Sequence, residues 1–145
     1  MIFNKLIPEL TVSNLQESIN FYVGLLGFEI KYERKENLFT FLELEDIQIM
    51  IQEHNNEDEE KWNVGKLEYP YGRGINFQIE LNNIDNIYNR LIENNYPIAF
   101  DIEKNWYRQN DILLGNKEFL VQDPDGYLLR FCEDLGEKEI KEMTD

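Results

Sequence analysis

The sequence is poor in the side chains on which most site chemistry is built. It holds one histidine and one cysteine in 145 residues. A lone cysteine excludes an internal disulfide framework and any paired-thiol site. By its place in an alternating stretch, Cys132 reads as a small buried apolar residue. His54 stands alone in an acidic segment, a weak basis for a transition-metal centre. No GxSxG, P-loop or HExxH motif occurs. Positive charge is also scarce: 14 basic residues face 29 acidic ones, for a net charge of −15. Such a surface repels phosphate backbones and anionic lipid, which argues against nucleic-acid and membrane partners and leaves a cationic small molecule as the better fit. No apolar run is long enough to cross a bilayer. The opening MIFNKLIPEL has no basic stretch followed by an apolar core and a cleavage site, so no signal peptide is expected and the expected location is the cytoplasm.

What is present is a core. A hydrophobic content of 42%, with 13% aromatic residues, in a chain of this length supports one folded domain. In IPELTVSNLQESINFYVGLLGFEI (7–30), Leu10 and Val12 alternate with Glu9 and Thr11 as in a half-buried strand. Ser13 to Gln16 fits a capping box. Leu15, Ile19, Tyr22 and Leu26 then share one helical face, and Gly27 ends the helix. Residues 38–53 read as two strands joined at Glu45-Asp46. The pattern returns in GINFQIELNNIDNIYNRLIENNYPI (74–98). A strand is followed by a helix capped by Asn82 or Asn83, with Ile84, Ile87, Tyr88, Leu91 and Ile92 on its apolar face, stopped by Asn94-Asn95, and a strand starts near Pro97. Residues 117–123 and 127–133 form a hairpin about Asp123-Pro124-Asp125-Gly126.

Each half therefore reads β-α-β-β-β. The predicted fold class is α+β, a single domain of two βαβββ modules (4–53 and 74–133) forming a concave cup, with a linker at 54–73 and a polar tail at 134–145 that forms a short helix or frays. Val12 and Leu81 are equivalent, 69 residues apart, whereas Ile47 and Tyr127 are 80 apart. The second half must carry an insertion of about ten residues within 102–116. That segment holds Trp106 and Tyr107 and is either a binding loop or an aromatic plug over the sheet edge. The linker begins with a charge run that reads as a solvated loop and continues with Trp62, Tyr69 and Tyr71.

Alternation also assigns the strand faces. Ile7, Glu9 and Thr11, then Gln48, Met50 and Gln52, point away from the helix side in the first half. Gly74, Asn76, Gln78 and Glu80, then Leu128, Arg130 and Cys132, do so in the second. A closed core does not tolerate so many amides and charges. This face is solvated or binds a ligand, and Glu9 or Glu80 is the expected partner of Arg130.

These segments carry a resemblance. IPELTVSNLQESINFYVGLLGFEI, GINFQIEL and FLVQDPDGYLLRF resemble the opening and the second half of the glyoxalase / bleomycin-resistance / extradiol-dioxygenase (vicinal oxygen chelate) superfamily over residues 5–133. The metal enzymes of that family use ligands whose counterparts here are Ile7, Gly74 and Arg130. None is a side-chain ligand, and an arginine repels a cation. The resemblance therefore implies no metal and no cofactor.

Trp106-Tyr107 ahead of EFLVQDPDGYLLRF, with the acidic charge, is most similar to bleomycin-resistance proteins. That implies a homodimer with aromatic and acidic grooves and a role in antibiotic resistance. The first expectation is a non-enzymatic protein that sequesters a cationic or planar small molecule through Glu9, Met50, Trp62, Asn76, Gln78, Glu80, Trp106, Tyr107 and Arg130, with no catalytic residue. The tryptophans have a second reading, as loop or dimer-interface anchors. The alternative is a glyoxalase/dioxygenase-like enzyme with an atypical metal site drawn from Glu9, Glu53, His54, Glu80 and Asp101, or with metal-free acid–base catalysis by Glu9 or Glu80.

Overall fold

A computed structural model describes residues 1–55 and 59–140. The chain divides into two compact units. One comprises Met1–Arg73 together with Asp123–Tyr127; the other comprises Gly74–Gln122 and the chain from Leu128 onward. Each unit carries one four-stranded mixed sheet, so the fold is α+β and built of two βαβββ modules.

In the first unit β1 (Glu9–Val12) leads into α1 (Leu15–Ile19), followed by β2 (Glu29–Arg34), β3 (Phe39–Leu44), β4 (Ile47–Glu53) and a single turn, α2 (Glu59–Trp62). The sheet order is β1-β4-β3-β2, with β1 parallel to β4 and the other pairs antiparallel. Asn14 caps α1: its side chain accepts the Glu17 N–H at 3.0 Å. The expected capping box is thus displaced by one residue. Ser13 is drawn away because its hydroxyl and its N–H both donate to the Asp125 carboxylate, and the Gln16 side chain donates forward to Asn20.

After Ile19 the helix widens to a π-type segment (Asn20–Leu25), closed by the Leu26 N–H donating to the Phe21 carbonyl at 3.0 Å. The wider pitch turns Phe21 and Tyr22 inward with Leu26 and Phe28, all buried. Gly27, at φ 90°, then turns the chain into β2, as expected.

The second unit repeats the layout with β5 (Asn76–Glu80), α3 (Asp85–Glu93), β6 (Phe100–Gln109), β7 (Ile112–Gln122) and β8 (Leu128–Glu139), in the order β5-β8-β7-β6. One hydrogen bond marks the repetition. In the first unit the N–H of Leu15, the first residue of α1, donates to the Glu53 carboxylate at 2.9 Å. In the second the Ile84 N–H donates to Glu133 at 3.0 Å. The helix residues are 69 apart and the glutamates 80 apart. These are the two offsets expected of a duplication with an insertion. Asn83 accepts the Asp85 N–H at the start of α3, and Asn95 ends the turn after it at φ 57°. Ile84, Ile87 and Leu91 are buried, but Ile92 is exposed and leaves the predicted apolar face.

Three further expectations are corrected. The insertion is not a loop. Residues 103–116 are an extension of the β6–β7 hairpin, turned at Asn110-Asp111 with Asn110 at φ 54°. Nor is the start of the tail frayed or helical: β8 runs to Glu139, pairing Gly136 with Gly115 and Glu139 with Ile112. The two segments need each other. Inserted strand and tail complete one three-stranded ribbon whose backbone groups pair within it. β6 also begins at Phe100 and not near Pro97, since pairing starts from the Ala99 N–H to the Leu120 carbonyl. The acidic run at 56–58 and the end of the tail at 141–145 lie outside the described residues.

The Asp123–Tyr127 turn packs within the first unit. Asp123 accepts the N–H groups of Asp125 and Tyr127, each at 2.9 Å, and the Tyr22 hydroxyl at 2.8 Å. The Tyr127 hydroxyl donates to the Thr11 carbonyl. Gly126, at φ 96°, has no room for a side chain, because a Cβ would lie 2.5 Å from that of Pro70. Burial pushes the Asp123 carboxyl up to about 6, against the pull of its three donors.

Candidate functional site: the two faces turned from the helices

On each sheet one face is apolar and covered by that unit's helix. Leu10, Val12, Leu42, Ile49 and Ile51 form it in the first; Ile79, Phe119, Val121, Leu129 and Phe131 in the second. The opposite faces hold the sequence-predicted residues, in the alternation expected. Matched rows can be compared across the duplication.

In the first unit one row reads Glu9, Met50, Phe41, Tyr32 and the next Thr11, Gln52, Phe39, Arg34. Tyr32 stacks on Phe41, ring centroids 5.1 Å apart, and the Arg34 guanidinium lies 4.0 Å above the Phe39 ring. This aromatic shelf was missed in the sequence. Its signal was the alternation of Tyr32 with Arg34 and of Phe39 with Phe41. Glu9 sits at its edge. Burial raises the Glu9 carboxyl above its ordinary range, partly offset by Arg34, which takes the place foreseen for Arg130. Asn63 reaches this face, accepting from the Thr11 hydroxyl at 3.1 Å, while the adjacent Trp62 remains 64% exposed.

In the second unit the equivalent rows read Gln78, Arg130, Leu120, Phe100 and Glu80, Cys132, Glu118, Glu103. Arg130 donates from Nη2 to Gln78 Oε1 at 2.9 Å, so its partner is an amide and not the expected carboxylate; its Nε is buried with no partner. Glu118 is only 6% exposed. One of its oxygens accepts the Tyr107 hydroxyl at 2.7 Å and the Asn105 amide at 3.2 Å; the other is buried without a partner. That hydrogen bond to Glu118 is the main cause of the raised Tyr107 hydroxyl. Cys132 is buried between Glu80 and Glu118, and burial, then these two charges, push its thiol up.

Trp106 and Tyr107 do not act together. As neighbours in β6 they point to opposite faces. Tyr107 joins Glu118. Trp106 lies across Gly115, where a Cβ would stand 2.6 Å from its ring, beneath the Lys138 ammonium 3.9 Å from the ring centroid. The second unit thus gathers Asn76, Gln78, Glu80, Tyr107 and Arg130 on one face with Glu118, which the sequence reading did not single out. Glu9 and Met50 belong to the first sheet.

The alternative metal candidates are dispersed. Glu53 receives the Leu15 N–H, Asp101 receives the Tyr88 hydroxyl, and His54 is exposed just beyond β4. Among the described residues no group of three or more His, Cys, Asp or Glu side chains is placed to hold a metal ion. Among them, too, no helix is long and apolar enough to cross a membrane.

Two βαβββ modules related by duplication define the class of fold. The profile of the Glyoxalase/Bleomycin resistance protein/Dioxygenase superfamily matches residues 6–131, and the chain belongs to that superfamily. It is 35% identical to a superfamily member of known structure from Vibrio splendidus 12B01, over 89% of this chain and 97% of that one, with a TM-score of 0.41. TioX from Micromonospora sp. ML1 shares the fold at a TM-score of 0.69 with 15% identity, over 92% and 100% of the two chains. Lactoylglutathione lyase from Agrobacterium tumefaciens shares it at 0.60 with 13% identity, over 90% and 92%. No curated protein matches the chain.

The metal of the enzymes in this superfamily does not fit the residues present. The positions that the resemblance assigns to its ligands hold Ile7, Gly74 and Arg130. An aliphatic side chain, no side chain and a guanidinium supply no donor to a cation.

Proposed function

We propose that the chain is a non-enzymatic small-molecule-binding protein, similar in role to bleomycin-resistance proteins and acting as a cytoplasmic homodimer. The observation that carries this reading is the Arg130 face. A guanidinium held by Gln78 stands at the position where the resemblance expects a metal-binding carboxylate, beside a buried carboxylate with an unpaired oxygen. Such a surface supplies recognition without a Lewis acid. The excess of acidic residues favours cationic ligands. The exposed apolar side chains of Ile2, Phe3 and Leu6 support pairing of two chains.

Calorimetric titration with metal-free bleomycin tests the reading, alongside metal analysis of the purified protein. Saturable binding that Arg130→Met abolishes, without stoichiometric metal, is the expected result. Stoichiometric zinc or nickel, or no binding, overturns it. A second reading, metal-free acid–base catalysis, is favoured only by the raised carboxyl of Glu9. It predicts turnover that Glu9→Gln removes.

A further inference from the structure

We propose that the ligand of the Arg130 face carries a protonated amine beside an amide carbonyl, an α-amino amide group, with the amine on Glu118 and the carbonyl oxygen on Arg130. This rests on the reading above that the face is a ligand site.

Buried polar atoms in native proteins are almost always paired, so each orphan needs an occupant. Two occur together here. Glu118 has an unpartnered buried oxygen, an acceptor, and Arg130 has an unpartnered buried Nε–H, a donor. The pairing of Arg130 with Leu120 and of Cys132 with Glu118 makes the two residues diagonal neighbours on adjacent strands, on one face. Diagonal neighbours stand about 7–8 Å apart at the backbone, within reach of long side chains. Both groups are already held. Tyr107 and Asn105 fix the other Glu118 oxygen, and Gln78 fixes the far end of the guanidinium. What is left unpaired is one buried acceptor and one buried donor, and a ligand that donates at one end and accepts at the other satisfies both.

Charge selects the chemistry further. Glu80, Glu103 and Glu118 share this face with a single arginine. The negative excess favours a cationic donor, an ammonium, over a neutral one. It also favours a neutral acceptor, an amide carbonyl, over a free carboxylate.

The test uses the full chain labelled with nitrogen-15 and follows the Arg130 Nε–H signal, assigned by its loss in Arg130→Lys. The probes are L-leucinamide, 4-methylpentanamide, which lacks the amine, and isoamylamine, which lacks the carbonyl. L-leucinamide should move the signal saturably, and each single-function analogue should bind about tenfold more weakly or worse. Glu118→Gln should weaken L-leucinamide by a similar factor. If that variant does not fold, Tyr107→Phe, at a half-exposed position, should weaken it in the same direction by loosening Glu118.

Equal binding of the amine-free analogue overturns the proposal. So does a signal that none of the probes moves, as expected if one water bridges the two groups. If either occurs while metal-free bleomycin still binds and Arg130→Met abolishes that binding, the binding role stands and only this ligand class falls. Absence of binding by both removes both.

Discussion

The two sheets agree on one face and part on the other. Positions 51 and 131 are equivalents 80 residues apart, and both are apolar, fully buried and turned to the helix. Positions 50 and 130, one step along, are methionine and arginine. The row with Phe39 and Arg34 in the first unit has Glu118 and Glu103 in the second. The duplicated backbone thus tolerates an aromatic shelf in one copy and a charged, hydrogen-bonded face in the other. Helix-side residues answer to packing, which admits few solutions. The opposite face differs between the two copies, and the proposed ligand site lies on it.

The largest effects should fall on the shared face. Phe131 stacks on Phe119 with ring centroids 5.4 Å apart, and both are fully buried. Phe131→Ala should cost about 3–5 kcal/mol and its counterpart Ile51→Ala about 2–5 kcal/mol. Arg130→Met, on the other face, should change stability by far less. Urea denaturation measures all three. A loss under about 1 kcal/mol for either core variant would break the assignment of that face as structural.

The hairpin turns differ as well. The first, at Glu45-Asp46, is short and exposed; the second buries Asp123 with its carboxyl near 6. A carboxyl raised in the folded state binds its proton more tightly there than in the unfolded chain. It therefore stabilises at low pH, and that contribution is lost as pH rises through 6. Measured against Asp123→Asn, which can still accept the Asp125 and Tyr127 N–H bonds, the wild type should lose about 2 kcal/mol of relative stability between pH 4 and pH 7. Equal pH dependence in the two proteins would place the titration elsewhere.

The shared architecture was legible in the sequence because it is written in periodicity. Alternation gave the strands and faces, and glycine and asparagine marked the helix ends. The offsets of 69 and 80 located the insertion without showing its form. A two-residue turn at Asn110-Asp111 is a weak signal, and the strand pairing that makes the ribbon comes from 134–139, distant in sequence. Capping went astray for a similar reason. Ser13 has a competing partner, Asp125, 112 residues away. Glu118 escaped notice because a glutamate in a strand reads as a solvated face. Only the Tyr107 and Asn105 donors reveal it as a buried acceptor.

The finest comparison concerns the hydrogen bond that the two units share. Glu53 and Glu133 accept a backbone N–H at the start of a helix. Replacing either by glutamine keeps an acceptor oxygen and removes the charge. The change then isolates the attraction between a carboxylate and the positive end of the helix, about 0.3–1 kcal/mol at a surface site. α3 has nine residues, and the five of α1 continue into the six of the π-type segment, so neither helix is short. The end charge comes from the free N–H groups of the first turn and does not grow with length, so Glu133→Gln and Glu53→Gln should cost about the same. Thermal denaturation of the two variants at low ionic strength makes the comparison, and added salt should reduce both losses. No loss in either variant would mean that the hydrogen bond alone holds the helix start and that its charge contributes nothing.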